Sequence, residues 1–338
     1  MKEGLFFTKL ENNEVRCELC PHLCRLKNGQ TGICHIRKNI GGILYSSVFG
    51  KAIASHIDPI EKKPLFHVAP GSASFSVATA GCNFNCQFCQ NHDISQVKNI
   101  ADIENYGREM PPEKIVENAA LHHCQSIAYT YTEPTIYFEY AYETAKLARK
   151  KNILNVFVTN GYINPEPLKL ISPFLDAANV DLKSFHENFY RKLVGGKLAP
   201  VLETLKLMKE FNIWIEVTTL IIPGENDSTN ELEQLARFIK NELGEETPWH
   251  ISRFYPQYKL SNYPPTPITT LERAFAIGKD AGLYHVYMGN VPGNETESTF
   301  CFNCNKMLIR RHGYQIVNME IDEGKCKFCG AECYGIRM

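Results

Sequence analysis

The chain has 338 residues, of which 44% are hydrophobic and 11% aromatic, so it is long enough to bury a large core. The formal net charge of -1 at pH 7 provides no electrostatic footprint for nucleic acid or for an anionic membrane, so neither partner is expected. No apolar run approaches the length of a membrane span and the first residues lack a signal-peptide core, so we expect a cytoplasmic protein. Thirteen cysteines in such a chain argue for metal ligands rather than disulfides.

Four of the cysteines lie in a predicted cysteine-rich lobe over residues 1–70. They are Cys17, Cys20, Cys24 and Cys34. The first two form a C-x-x-C pair before a proline, which places two thiolates on one tight turn, and Gly32 allows a turn before the last. Four thiolates can close either a zinc site or an iron–sulfur site, with His22 and His35 as substitute ligands, and the sequence leaves the metal open. The alternative is four reduced thiols packed beneath a small lobe. The segment that follows predicts one or two hairpins.

A second group of cysteines, Cys82, Cys86 and Cys89, stands in the stretch 81–91, directly after an apolar run. Three thiolates on a short loop can hold three corners of a 4Fe–4S cube and leave the fourth iron without a protein ligand. Structural zinc fits poorly because it needs four protein ligands, and His92 is badly placed to be the fourth. A disulfide does not fit an odd number of cysteines without a secretory signal. The remaining alternative is a set of inert buried thiols.

Residues 71–290 repeat the pattern of strand, turn and helix. Seven runs, rich in residues that favour strands and apolar on both faces, suit a parallel sheet covered by helices. The predicted strands are residues 75–80, 126–132, 154–160, 178–183, 214–222, 249–254 and 285–289. The predicted fold class is therefore α/β, a partial or open (β/α) barrel of the TIM type between two small cysteine-rich lobes. In such barrels chemistry gathers at the carboxyl ends of the strands, and the cysteine loop follows the first strand.

Three helices of this domain carry readable signals. Capping boxes that pair Ser228 with Glu231 and Thr269 with Glu272 predict two helix starts, and the second helix should stop at Gly282. A further helix has an apolar stripe made of Leu198, Val201, Leu202, Leu205 and Met208.

Polar side chains mark the ends of the predicted strands. The candidates are Glu133, Asn160, Asp181, Lys183, Glu216, Thr218, His250, Arg253 and Tyr255. Glu133 suits pairing with an ammonium group, or else begins a helix as a solvated residue. Asp181 and Lys183 share one side of a strand, where their desolvation costs free energy unless they meet a ligand or each other. The alternative for the last three candidates is a structural polar network.

The tail, residues 291–338, contains two C-x-x-C pairs. They are Cys301 with Cys304 and Cys326 with Cys329. This pattern indicates a zinc-ribbon or rubredoxin-like site, with Asn305 and Gly330 suited to the left-handed backbone after each pair. Zinc is favoured over iron or a second cluster. Cys333 is a spare thiol that could exchange with Cys329, and Cys124 is expected to be a small buried hydrophobic residue.

The loop GCNFNCQFCQN, with Phe88 before its last cysteine, resembles the cluster loop of radical S-adenosylmethionine (SAM) enzymes. The resemblance implies a barrel of the radical SAM type and a 4Fe–4S cluster whose open iron chelates SAM. It further implies an enzyme of the oxidoreductase type. Reductive cleavage of SAM would give methionine and a 5′-deoxyadenosyl radical that abstracts hydrogen from a substrate. A one-electron donor such as flavodoxin or ferredoxin is then expected as a partner.

Further motifs are similar to those of the glycyl-radical-activating branch, typified by the pyruvate formate-lyase activating enzyme. The segments YTEP, VTNG, DLK and IIPG stand where that branch has Gly-Gly-Glu-Pro, Asp-Thr-Asn-Gly, Asp-Leu-Lys and Val-Val-Pro-Gly. By this similarity Thr132 and Glu133 meet the SAM ammonium, Asp181 and Lys183 serve its carboxylate or ribose, and the backbone of Phe88 meets the adenine. The full set of expected cofactor-binding residues is Phe88, Thr132, Glu133, Asn160, Asp181, Lys183 and Thr218.

The chain departs from that branch at several of these positions. Tyr131 and Thr132 replace the two glycines, Val158 replaces the aspartate, and Thr218 stands where the activating enzymes usually have arginine. These changes are compatible with SAM binding but weaken the prediction of a glycyl radical enzyme as the substrate.

From end to end, the chain resembles the radical SAM component of the AmmeMemoRadiSam system. That resemblance implies Memo-type and AMMECR-type partner proteins and leaves the substrate open, either a small molecule or a partner protein. Two alternatives are a glycyl radical enzyme activase and a non-enzymatic cysteine-rich interaction module.

Overall fold

Short strands build the N-terminal lobe of the computed structural model, which describes residues 1–97, 107–291, 293 and 295–338. The strands are β1 (Lys2–Glu3), β2 (Phe7–Lys9), β3 (Val15–Cys17), β4 (Arg25–Leu26), β5 (Arg37–Ile40), β6 (Ile43–Ser46) and β7 (Lys51–Ala52). The first six form two three-stranded antiparallel sheets, ordered β1-β6-β5 and β2-β3-β4. The segment predicted to contain one or two hairpins begins at residue 41, and its first strand, β6, pairs instead with β5, which precedes it.

An eight-stranded sheet follows. Its strands are β8 (Ala54–Pro59), β9 (Ala73–Ala78), β11 (Ser126–Tyr129), β12 (Leu154–Thr159), β13 (Ala177–Asp181), β14 (Trp214–Ile221), β15 (Trp249–Arg253) and β16 (Val286–Gly289), with β10 (Arg108–Glu109) pairing outside it with β7. From β9 to β16 the strands are parallel and ordered along the chain. The seven predicted strands are confirmed. Among the described residues no ladder joins the edges β8 and β16, so the predicted open α/β barrel is also confirmed.

The edge strand β8 lies within the predicted N-terminal lobe, yet it belongs to the central sheet. It pairs antiparallel with β9 along its whole length, from Ala54 opposite Ala78 to Pro59 opposite Ala73. The barrel therefore begins before the boundary that we set at residue 70.

Burial on both faces explains why the central strands are apolar throughout. All four residues of β11 are buried, and so are five of the six residues of β12. Such strands are typical of a parallel sheet whose outer face is covered by helices and whose inner face points into the barrel.

The helices that cover this sheet match most of the sequence signals. They are α1 (His92–Ser95), α2 (Pro112–Leu121), α3 (Phe138–Lys150), α4 (Pro165–Ile171), α5 (Glu187–Phe189), α6 (Leu198–Glu210), α7 (Thr229–Phe238) and α8 (Ile268–Asp280). The predicted stripe lies on α6, where four of its five residues are buried and Leu202 is half-buried. The Ser228 hydroxyl accepts a hydrogen bond from the Glu231 N–H and caps α7 as predicted. The predicted cap at Thr269 is wrong: α8 begins at Ile268 after Pro267, which needs no N–H at a helix start.

A buried ion pair joins the N-terminal lobe to the barrel. Arg37 of β5 donates to both carboxylate oxygens of Glu139 on α3, at 2.9 and 2.5 Å, and both side chains are almost fully buried. Arg37 also donates to the backbone carbonyl of Ile136, and the Leu5 N–H donates to Glu139. The polar atoms of this pair are thus satisfied without water.

The tail packs against the loop that connects β8 to β9. It contains β17 (Thr299–Phe300), β18 (Met307–His312), β19 (Gln315–Met319), β20 (Ile321–Asp322) and β21 (Lys325–Cys326). The buried Arg311 guanidinium donates to the Phe66 carbonyl at 2.8 Å, and the Ile336 N–H donates to the His67 carbonyl at 2.8 Å. The tail is therefore anchored to the barrel at two points.

We find no helix among the described residues that combines the length and the apolar character needed to cross a membrane.

We expect Glu139→Gln to lower the free energy of unfolding by ~3–5 kcal/mol, because it leaves the buried Arg37 without its counter-charge. Urea denaturation of the purified chain measures this loss. The matched control is Glu143→Gln on the same helix, whose carboxylate makes an exposed pair with Lys146 and should contribute less than ~1 kcal/mol. Equal losses in the two variants would contradict a special role for the buried pair.

Candidate cofactor site

The cysteine loop leaves β9 at the carboxyl end of the strand. Gly81 opens it with a φ of +94°, and a Cβ at this position would lie 2.7 Å from a carbonyl oxygen of the N-terminal lobe, so only glycine fits. Asn85 and Gln87 donate backbone hydrogen bonds, both 2.9 Å, to the carbonyls of Val194 and Leu193. The path of the loop is therefore fixed by the protein itself.

The three thiols of this loop, those of Cys82, Cys86 and Cys89, line one cavity of about 840 Å³. Their sulfur atoms do not converge as the ligands of a single ion do; in the part of the chain that the structure describes, only four cysteines of the tail converge in that way. Burial raises the pKa of the Cys86 thiol to about 12, although the nearby Lys183 opposes the shift. At neutral pH this thiol keeps its proton until a metal displaces it.

Every residue expected to bind the cofactor lines the same cavity. These residues are Phe88, Thr132, Glu133, Asn160, Asp181, Lys183 and Thr218. They are far apart in the sequence but lie in or after neighbouring strands of one parallel sheet, so they meet near one rim. Their individual roles toward SAM stay predictions.

Glu133 is the most heavily hydrogen-bonded of these residues. Its Oε1 accepts from the Thr135 N–H at 3.0 Å, the Thr135 hydroxyl at 2.6 Å and the Thr159 hydroxyl at 2.7 Å, while its Oε2 accepts from the Asn160 N–H at 2.8 Å. Burial raises the pKa of Glu133, although these donors oppose the shift. Oε2 retains acceptor capacity for one more donor. The carboxylate thus ties two strand ends together and still offers an oxygen to a ligand.

Asp181 and Lys183 meet each other at the end of β13, as their spacing predicts. Lys183 Nζ lies 2.7 Å from Asp181 Oδ2 and 5.9 Å from the centroid of the Phe88 ring. Burial by itself lowers the pKa of Lys183, but Asp181, together with Cys86 and Tyr190, holds that pKa above its ordinary value. Lys183 is therefore a fixed positive charge beside the cysteine loop.

The remaining cofactor candidates are oriented by neighbouring groups. The Thr132 hydroxyl donates to a backbone carbonyl beside the cysteine loop at 2.7 Å, and the Thr218 hydroxyl donates to Asn179 at 3.0 Å. The Asn160 amide donates to the side chain of Asn83, next to Cys82, at 2.8 Å. Asn83 was not among the predicted site residues, because a loop asparagine carries no signal of its own.

Comparison with known proteins identifies the family. The model of the radical SAM superfamily matches residues 76–239. A protein of Methanocaldococcus jannaschii, uncharacterized protein MJ0808, is 49% identical over 98% of both chains. This chain belongs to the radical SAM superfamily. The pyruvate formate-lyase 1-activating enzyme of Escherichia coli K12 is 22% identical over 60% of this chain and 87% of its own length, which agrees with the predicted relation to the activating enzymes.

The same fold occurs in a radical SAM methyltransferase from Sphaerobacter thermophilus. Its crystal structure superposes with a TM-score of 0.51 at 16% sequence identity, covering 65% of this chain and 66% of that one. At this identity the similarity concerns the fold alone.

The family implies a 4Fe–4S cluster and SAM, and the residues of this chain fit both. A cube binds each thiolate to a different iron, so its ligands stand farther apart than the ligands of one ion, as the three loop thiols do. Cys82, Cys86 and Cys89 would hold the cluster, and the cavity beside them has the size of a small-molecule site.

A further group of polar side chains beside the radical SAM cavity was not predicted. Tyr131 has a φ of +63°, and its hydroxyl donates to the Asp58 carboxylate. Lys63 Nζ lies 2.7 Å from Asp58 and 4.5 Å from the centroid of the Tyr131 ring, and burial lowers its pKa to about 8. The one signal in the sequence was Tyr131 itself, since it stands where the activating enzymes have a glycine. That left-handed backbone explains the glycine.

The polar residues in and after β14 and β15 form a buried network, and some of them also line the cavity. Glu216 accepts from His250 at 2.7 Å and from the backbone N–H groups of Phe66 and the next residue, so it forms the structural network named as an alternative. His250 nevertheless lines the cavity, as does Tyr255, which receives a hydrogen bond from Arg253 at 3.1 Å.

The tail cysteines form a single-ion site. The Sγ atoms of Cys301 and Cys329 are 3.7 Å apart, those of Cys304 and Cys326 are 3.8 Å apart, and all four lie within 4.8 Å of one another. Four sulfurs about 2.3 Å from a zinc ion form a tetrahedron with edges of about 3.8 Å. The group can therefore bind a metal, and zinc stays the predicted one.

Six further cysteines lie outside the cysteine loop and the tail site. Cys124 follows α2 and is buried, as predicted for a small hydrophobic residue. Cys333 is half-buried near the tail site and is not part of it. The four N-terminal cysteines line a second, much smaller cavity.

We expect Glu133→Gln to weaken SAM binding at least ~10-fold, because it replaces a charged acceptor with an amide whose NH₂ group faces other donors. Iron content should stay unchanged, since Glu133 makes no bond to the cysteines. Iron assay and calorimetric titration of SAM measure the two effects. Glu166→Gln, at an exposed position in the first turn of α4, is the control. Parallel losses of iron and SAM binding would show that Glu133 only supports the fold.

Proposed function

We propose that the chain is a SAM-dependent radical enzyme of the oxidoreductase type. The 4Fe–4S cluster, when bound, supplies the electron that breaks a C–S bond of SAM, giving methionine and a 5′-deoxyadenosyl radical that takes hydrogen from the substrate. The observation that carries the proposal is that three thiols too widely spaced for a single ion share one cavity with all seven motif residues.

Different residues of the cavity would bind different groups of SAM. Lys183, held by Asp181, would offer its positive charge to the SAM carboxylate, and the free capacity of Glu133 Oε2 would accept from the ammonium group. The backbone of Phe88 would meet the adenine. These groups fix the position of SAM relative to the loop.

A substrate would lie in the part of the cavity that SAM leaves open. Residues of the cavity wall outside the expected SAM contacts include Lys63 and Tyr131 from the barrel and His312 and Tyr314 from the tail. The volume of about 840 Å³ favours a small molecule beside SAM, because sites for such ligands span roughly 300–1,000 Å³. A segment of a partner protein is the alternative substrate.

A second candidate function is the activation of a glycyl radical enzyme. It is favoured by the similarity to the pyruvate formate-lyase 1-activating enzyme. Under this hypothesis the radical would pass to a glycine of another polypeptide, and a glycyl doublet would appear in its electron paramagnetic resonance (EPR) spectrum after turnover. The third alternative, a non-enzymatic cysteine-rich module, receives no support from the family, whose named relatives are enzymes.

The expected partners remain part of this proposal. A ferredoxin-type or flavodoxin-type protein would provide the electron. Memo-type and AMMECR-type proteins would associate with the chain if it belongs to the AmmeMemoRadiSam system.

We expect Cys86→Ala to abolish formation of 5′-deoxyadenosine after anaerobic reconstitution with iron and sulfide and addition of SAM and dithionite. The loop has no spare ligand, so loss of one thiolate removes the cluster. Chromatography of the nucleoside measures the product. Cys124→Ala, a buried cysteine outside all three cysteine groups, should retain the activity of the unmodified chain. Product formation by the Cys86 variant would contradict the assignment of the cluster.

A further inference from the structure

The N-terminal cysteines surround a small cavity of about 20 Å³. The residues in its wall include Cys17, Cys20, Cys24, Cys34, Arg37 and Asn83. Four thiols around one enclosed space are the donor set of a zinc or an iron–sulfur site. The cavity between them therefore indicates a metal site rather than four thiols that merely pack.

The spacing of the sulfur atoms separates this quartet from the one in the tail. Among the described residues, the tail quartet is the one group of three or more cysteine, histidine or carboxylate ligands gathered as around a single ion. The N-terminal thiols share a cavity but not that convergence. The three thiols of the radical SAM loop behave in the same way, and their family implies a four-iron cube. By this internal comparison the N-terminal quartet resembles the loop thiols rather than the single-ion site of the tail.

A buried positive charge also lies in the wall of this cavity. The Arg37 guanidinium acts electrostatically on both Cys17 and Cys34. Four thiolates around a cluster carry net negative charge, and burying that charge costs free energy unless a cation is near. Arg37 offsets part of this cost, although it shares its charge with Glu139.

The quartet lies directly beside the loop that holds the three SAM-site thiols. The Cys34 carbonyl oxygen would be 2.7 Å from a Cβ at Gly81, the residue before Cys82. On the other side, His22 Nε2 is within 2.7 Å of the Asn83 carbonyl oxygen. The two groups of thiols are therefore separated by one layer of residues.

We propose that Cys17, Cys20, Cys24 and Cys34 hold a second iron–sulfur cluster of the four-iron type, adjacent to the SAM cluster, and that the tail alone holds zinc. This assigns one thiolate ligand to each of the four irons of the second cluster, so no iron is left open for SAM. The proposal concerns metal content and does not depend on cleavage of SAM.

The test counts metals in the anaerobically reconstituted full-length chain. The expected content is about eight iron ions and one zinc ion, since each cluster has about four irons. Cys86→Ala, which removes the loop cluster, should retain about four irons and an EPR signal after reduction with dithionite. Cys20→Ala should also retain about four, and the double variant should retain almost none. Cys24→Ser, at a half-buried ligand, is the second variant if Cys20→Ala does not fold.

The EPR spectrum of the reduced, unmodified chain tests the adjacency of the two sites. Two reduced clusters separated by one layer of residues should broaden each other's signals, and this broadening should vanish in both single variants. A Cys86→Ala chain that contains less than about one iron and about two zinc ions would overturn the proposal, because zinc would then occupy the N-terminal quartet. That outcome would leave the proposed SAM chemistry untouched. If eight irons were present but SAM were not cleaved, the proposed SAM chemistry would be contradicted and the second cluster would be retained.

Discussion

Parallel pairing of the strands is the constraint on which the site depends. Because seven strands from β9 to β16 run in the same direction and in chain order, their carboxyl ends form one rim. Residues separated by more than a hundred positions, from Cys82 to Thr218, meet there in one cavity. The buried carboxylate of Glu133 then joins two of these ends by accepting hydrogen bonds from Thr159 and Asn160. The chemistry of the loop therefore rests on the regularity of the sheet.

The sequence predicts well those features in which the local residue pattern matches the surroundings of the residues in the fold. Apolar runs became strands because both faces of the sheet are buried, and Asp181 met Lys183 because alternate residues of a strand point the same way. The features it does not predict depend on contacts between distant segments. Glu133 takes two of its donors from another strand end, and Tyr131 meets Asp58 of the edge strand β8 and Lys63 of the segment that follows it. The failed cap at Thr269 shows that a short motif gives way to a neighbouring proline.

The three groups of cysteines differ in the arrangement of their sulfur atoms, which their spacing in the sequence does not reveal. The N-terminal and tail quartets both begin with a C-x-x-C pair, so the sequence treats them as similar metal sites. In the fold, the tail quartet converges as around one ion, whereas the N-terminal quartet and the loop do not. The difference follows from the scaffold. Two knuckles of the tail face each other, while the N-terminal thiols come from a strand, a turn and a later turn wrapped against the barrel.

The pairing of the chain end with the barrel has a practical consequence. Ile336 forms a bridge to Val68 and packs with Leu154 and Ala177, which lie at the amino ends of their strands. The tail thereby plugs the end of the barrel opposite the cysteine loop. An affinity tag fused after Met338 would follow a packed segment and could disturb its contacts with the barrel. Met1, in contrast, is 70% exposed. A purification handle therefore belongs at the amino terminus.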